Sequence, residues 1–236
     1  MNHFSGSHLE EFWFFDCSIT DCVFTQCHCR DWRLWGCRIA DTSFRGADLP
    51  ESALGGVDDG KRNSFRNVDF TEADLRETAF AVAEFMGCRF DNSKLNKGNF
   101  DGSSFTDCGF EGELREVCFN KTASGYDSFP PNQMVNVDLS RAVLRSVEFR
   151  KLDLDQVRFP DDENHITVDN YGEALDRTLA MLRTQSDPGF RRLTAVLAHL
   201  RKWTGAQQRR GVINVSDLVE CGGEERAKQV VQLLRG

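Results

Sequence analysis

The sequence predicts a mainly β protein: a four-sided coil over residues 1–160, followed by a small α-helical region over residues 161–236. Three observations predict it. Large apolar residues recur every five positions, a small residue stands two positions before most of them, and this period is lost after Phe159. Of 31 positions in the five-residue register, 29 are Phe, Leu, Ile or Met. A period of five matches neither the 3.6 of a helix nor the 2.0 of a strand, and either element would smear these side chains around its circumference. A chain that turns after every repeat points the large and the small residue inward and leaves the other three positions to water.

The first run is Phe4, Leu9, Phe14, Ile19, Phe24, Cys29, Leu34, Ile39, Phe44, Leu49 and Leu54. A Gly-rich, charged segment at about residues 55–64 then interrupts the pattern and is expected to bulge as a loop. Its Val57, Asp58, Asp59, Lys61 and Arg62 are candidates for partner contact. The second run, from Phe65 to Phe110, is shifted by one residue, and the third starts four residues later at Leu114 and ends at Phe159. Because the extra residue and the missing one cancel, the third run is expected to share the wall register of the first. Ser124 interrupts the third run and Pro130-Pro131 follows, so Lys121 to Pro131 is expected to form a second loop. Four repeats per coil stack residues 20 apart at roughly 4.8 Å, giving about eight coils and a rod on the order of 38 Å long.

Segments such as Ala47-Asp48-Leu49, Ala73-Asp74-Leu75 and Cys108-Gly109-Phe110 give the chain its likeness to a known family. It resembles the pentapeptide-repeat proteins, and that resemblance implies a right-handed quadrilateral β-helix. Within the family it is similar to the members that protect type II topoisomerase from quinolones and natural-product poisons, which implies a DNA mimic acting on gyrase and a role in antibiotic resistance. The segment Gly55 to Arg62 resembles loops of that subfamily, whereas the long C-terminal region departs from its pattern.

Charge points to the same kind of partner. Residues 1–160 carry 18 Lys and Arg against 26 Asp and Glu, whereas residues 161–236 carry 11 of each, so the whole net charge of −8 lies on the coil. Such a surface repels nucleic acid and attracts proteins that bind it. Assigned by position, the wall around Leu9, Cys29, Leu49, Phe70, Phe90, Phe110, Phe129 and Phe149 collects Glu10, Glu11, Asp31, Asp48, Glu51, Asp69, Glu72, Asp91, Glu111, Asp127 and Glu148. Glu11, Asp31 and Glu51 stack one coil apart, an arrangement that costs stability through like-charge repulsion. On the adjacent wall Trp13, Phe15 and Trp35 form a candidate aromatic interface.

After Pro160 the spacing becomes helical, with Tyr171, Leu175, Leu179 and Leu182 on one face and Leu193, Val196, Leu197 and Leu200 on another. Asp187 is placed as an N-cap before Pro188. A short segment near Val215 to Val219 and a helix from Glu224 to Leu234 complete a region that caps the coil or makes a homodimer. Cys27-His28-Cys29 resembles a metal cluster, but Cys27 and Cys29 point inward while His28 points outward, and no second Cys pair has ligand spacing. No cofactor and no catalytic group is expected, since the five histidines show no spacing to a nucleophile and no Gly-rich phosphate loop exists. With no apolar span or signal-peptide pattern, a cytoplasmic, membrane-free, non-enzymatic protein is expected. The alternative reading is an adaptor or effector scaffold whose helical region binds a protein.

Overall fold

The computed structural model describes residues 1–206 and 208–236. Residues 1–159 wind into coils whose short strands pair in parallel. Trp13–Phe15 lies on Arg33–Trp35, and Ser18–Thr20 on Arg38–Ala40, in each case one 20-residue coil apart. Single bridges at His28–Asp48, Arg33–Ala53 and Val23–Ser43 continue the ladders, so each coil carries four ladders at five-residue intervals. The four walls are named here by the first large residue on each.

The Phe4 wall continues through Phe24, Phe44, Phe70, Phe90 and Phe110, whose successive ring centroids lie 5.0, 5.0, 5.5, 5.0 and 4.7 Å apart. That spacing matches the strand separation of a sheet, so backbone ladder and ring stack reinforce each other. The inner residues from Phe24 to Phe159 are buried in one cluster, each large side chain contributing roughly 1.5–3 kcal/mol by leaving water. Cys22, Cys27, Cys29, Cys37, Cys88 and Cys108 belong to this cluster as small apolar packing, and all nine cysteines are free thiols.

The register differs from the expected one. Ile39 pairs with Phe65, 26 residues on, so the chain passes from Leu54 to Phe65 in a single wall step with six residues extruded. The expectation there was two wall steps with one extra residue. Within the extrusion, Val57–Asp58 and Lys61–Arg62 form an antiparallel hairpin. Its turn residues Asp59 and Gly60 both have positive φ, 45° and 72°, the backbone a tight two-residue hairpin requires.

A second excursion follows Asn120. Phe105 pairs with Met134, and Phe119 with Phe149. Lys121 to Pro131 is therefore looped out, as the two prolines suggested, and Ser124 and Phe129 are not ladder residues. The one-residue deletion after Phe110 is real, since Asn99 bridges Cys118 at an offset of 19.

Among the described residues four helices follow the coil: α1, Tyr171–Leu182; α2, Pro188–Trp203; α3, Val215–Gly222; and α4, Glu224–Arg235. Asp187 accepts hydrogen bonds from the backbone N–H of Gly189 and Phe190 and so caps α2 as the sequence indicated. Two antiparallel strands, His165–Asp169 and Arg210–Asn214, were not foreseen. The alternation Ile166, Val168 was their signal, but the strands pair across the segment that carries α1 and α2 and have no local turn between them. Helices and strands share a second core around Leu175, Leu193, Leu197 and Val230.

This unit sits on the last coils. Leu144 donates its backbone N–H to His165 Nε2 at 3.1 Å, Ser146 N–H donates to Asp217 at 2.7 Å, and Arg145 pairs with Asp217 at 3.0 Å. Among the described residues no helix is long and apolar enough to cross a membrane.

Candidate partner-binding surfaces

The corrected register redistributes the acidic residues. Glu10, Glu11, Asp31, Asp48 and Glu51 stand on the Leu9 wall, which continues through Cys29, Leu49, Leu75, Leu95, Leu114 and Leu144, as the bridges Asp48–Asp74 and Asp74–Lys94 show. Asp69, Glu72, Asp91 and Glu111 belong to the neighbouring Phe4 wall. There three of them are locally neutralised: Arg45 meets Glu72 at 2.9 Å, Arg141 meets Glu111 at 2.9 Å, and Arg89 pairs closely with Asp91. Asp69 accepts the backbone N–H of Thr71. The expected single acidic wall is therefore two groups, because six extruded residues carry the chain past a corner where the sequence reading allowed one.

The Leu9 wall gains four carboxylates that sequence reasoning had placed elsewhere, Asp74, Glu77, Glu113 and Glu116. Its outer corner begins as a column of carboxylates, Glu11, Asp31, Glu51 and Glu77, with one residue from each of four successive coils, before Lys97 and Glu116 take the same position. All four have positive φ, 61°, 57°, 59° and 58°. The corner of the Ile19 wall makes a comparison, because there the left-handed positions hold Asp21, Asp41, Asn67, Gly87, Asp107 and Asn136. Those are the residue types that tolerate this conformation, and two of them pair across coils: Asn67 donates to Asp41 at 2.9 Å and Asn136 to Asp107 at 2.6 Å. Glutamate has no such local advantage, so the four glutamates on the Leu9 corner, Glu11, Glu51, Glu77 and Glu116, have no conformational explanation. The column is partly compensated, with Arg30 on Glu51 at 3.0 Å, Lys97 on Glu77 at 3.6 Å and Arg33 close to Asp31.

The hairpin lies against the Phe14 wall and is tied down. Lys61 donates to Asp16 at 2.8 Å, and that carboxylate raises the lysine above its ordinary pKa, while Arg62 pairs closely with Glu84. At its base the buried Asn63 accepts from Cys37 N–H at 2.7 Å and donates to the carbonyls of Leu34 and Leu54 at 2.8 Å each. Gly56 is required by closeness: a Cβ there would lie 2.6 Å from the Leu34 carbonyl and 2.9 Å from the Trp35 ring.

The aromatic group assembles where it was placed. Phe15 stacks on Trp35 at 4.6 Å with planes 6° apart, and Trp13 meets Trp35 edge-on at 6.0 Å. Trp13 and Phe15 remain 65% and 53% exposed.

Parallel coils of five-residue steps define a repeat β-solenoid. The family model for pentapeptide repeats matches eight copies, over residues 83–112 and 133–159, so these two stretches carry pentapeptide repeats. The gap between the two matched stretches contains the excursion after Asn120. Similar solved structures include HetL, a pentapeptide-repeat protein involved in heterocyst differentiation regulation from the cyanobacterium Nostoc sp. strain PCC 7120. That likeness has 15% identity over 67% of this chain and 91% of that one, with a TM-score of 0.36. Rfr23 from the cyanobacterium Cyanothece 51142 is 12% identical over 45% of this chain and 89% of its own, with a TM-score of 0.27. Full-length QnrB1, a plasmid-mediated fluoroquinolone resistance protein, is 13% identical over 68% and 94%, with a TM-score of 0.22. No curated protein matches the sequence.

Proposed function

We propose that the chain is a non-catalytic DNA mimic that binds a DNA-binding protein through the Leu9-wall corner, and that this partner is a type II topoisomerase, gyrase, which it shields from topoisomerase poisons. The observation that carries the reading is the column Glu11, Asp31, Glu51 and Glu77: carboxylates repeated coil after coil in a backbone conformation that does not favour glutamate. Stacked at roughly 4.8 Å, they form a line of negative charge along a rigid edge. About seven coils make a rod on the order of 34 Å, near one turn of duplex DNA. The same charge disfavours direct nucleic-acid binding.

In this reading residues 1–160 are a right-handed quadrilateral solenoid that works in the cytoplasm without a cofactor, and residues 161–236 close its end. The hairpin and the Trp13, Phe15, Trp35 group flank the acidic edge and supply apolar contact. The test is gyrase supercoiling in the presence of a fluoroquinolone. Added wild-type protein restores supercoiling; no rescue together with no binding to gyrase sinks the proposal.

A second reading, an adaptor that binds a protein through its helical region, draws on a cleft of about 440 Å³ between the last coils and the helices, lined by Leu144, Val147, Val196, Leu200, Val212 and Leu218. It predicts that affinity follows substitutions between Glu173 and Trp203, on α1 and α2, and not those on the acidic corner.

A further inference from the structure

The two ends of the solenoid are finished differently. At the C-terminal end Leu154 is fully buried and Phe159 nearly so, beneath the helical unit. At the N-terminal end no described residue covers the first coil. Phe4 and Phe12 are 38% and 44% exposed, and Leu9, Phe14 and Ile19 are incompletely covered. With Trp32 beneath them these side chains line a hollow of about 390 Å³.

The backbone is open as well. His28, Arg33 and Arg38 each donate their N–H to the coil above, to Ser7, Phe12 and Cys17. Among the described residues their first-coil counterparts, His8, Trp13 and Ser18, find no backbone acceptor. An apolar hollow with an unpaired strand edge is a docking surface.

Its rim decides what can dock. Residues 1–21 contain Glu10, Glu11, Asp16 and Asp21 and no Lys or Arg. Lys61 neutralises Asp16. Among the described residues Glu10, Glu11 and Asp21 have no cationic partner. A second copy meeting this end head to head would bring its own acidic rim against the first, whereas a basic rim is complementary.

We propose that the open N-terminal coil is a docking site for a partner segment with an apolar projection flanked by Lys or Arg. The site adjoins the top of the acidic corner at Glu11 and the Trp13, Phe15, Trp35 group, and it stands whether or not the partner is a topoisomerase.

The probe is an amphipathic peptide of leucine and lysine, with its leucine and glutamate analogue as control, titrated against the full chain by tryptophan fluorescence. Wild type binds the lysine peptide and the glutamate peptide at least about tenfold more weakly. The triple variant Glu10→Lys, Glu11→Lys, Asp21→Lys reverses that order, while Asp127→Lys, Asp153→Lys, Glu163→Lys, of equal net charge, does not. Phe12→Ser weakens the lysine peptide about tenfold with the coil's circular dichroism retained. Equal binding of both peptides, no effect of the rim variant, or the same loss in both triple variants overturns the proposal. Sedimentation showing a wild-type dimer that Phe12→Ser dissolves also overturns it, since a second copy would then be the occupant.

Discussion

Phe80 illustrates how single residues hold this coil. Fully buried, it stacks on Phe100 at 4.8 Å with planes 5° apart, and Phe70, Phe85 and Phe90 pack edge-on against it. Phe80→Ala removes the ring where a rigid stack cannot collapse, so we expect a loss of about 3–5 kcal/mol in denaturant unfolding. A loss below about 1 kcal/mol would mean that the stack relaxes around the gap. The cysteines give a second prediction at this scale. Burial raises the Cys29 thiol far above its ordinary range and pushes Cys118 up to about 12. Since only thiolates react, a native disulfide-exchange reagent at mildly alkaline pH should label Cys17 and Cys221 first and the ladder cysteines only on unfolding. Rapid native labelling of Cys27 or Cys29 would contradict their packing role.

Among elements, the hairpin depends on Asn63. Replacing it by alanine leaves the Leu34 and Leu54 carbonyls and the Cys37 N–H without their partner in a buried place, at a cost of roughly 1–3 kcal/mol. The loss should appear as a lower midpoint in urea and faster proteolysis at Asp59-Gly60; an unchanged midpoint would show that water satisfies the three groups. Helix α2 carries a pH prediction. The Arg226 guanidinium holds Asp187 below the usual carboxylate range. A lowered folded pKa stabilises the protein above the unfolded value of about 4 and loses that stabilisation as pH falls through the folded pKa. Asp187→Asn keeps the cap but not the charge pair, so its melting temperature should fall below wild type at neutral pH and converge with it in acid. A gap that persists in acid would place the effect in the cap.

The element scale is also where the sequence stopped being legible. A period of five is written in the large residues because every one must face the axis, and the helix starts are written in Asp187-Pro188. Register across a break is not. Leu54 to Phe65 is compatible with two repeats and one extra residue or with one repeat and six, and only the pairing of Ile39 with Phe65 decides. Phe129 keeps the period by chance inside an excursion, where it is half-buried next to Tyr126. The carboxylates were visible as residue types, but their grouping depended on that register, so Asp74, Glu77, Glu113 and Glu116 were missed while Asp69, Glu72, Asp91 and Glu111 were assigned to the wrong wall.

For the whole molecule, the claim is that a line of carboxylates on one corner stands in for a nucleic-acid backbone. Overall negative charge would attract basic partners anywhere on the coil, whereas mimicry requires this corner. The same two walls supply both the test and its control: gyrase binding, with supercoiling under a fluoroquinolone, compared for two variants of equal charge. One carries Glu11, Asp31, Glu51 and Glu77 changed to Lys, the other Asp69, Glu72, Asp91 and Glu111 changed to Lys. The account predicts that the first loses binding and rescue while its β circular dichroism persists, and that the second keeps most of both; equal losses in the two, or rescue by the first, would contradict it.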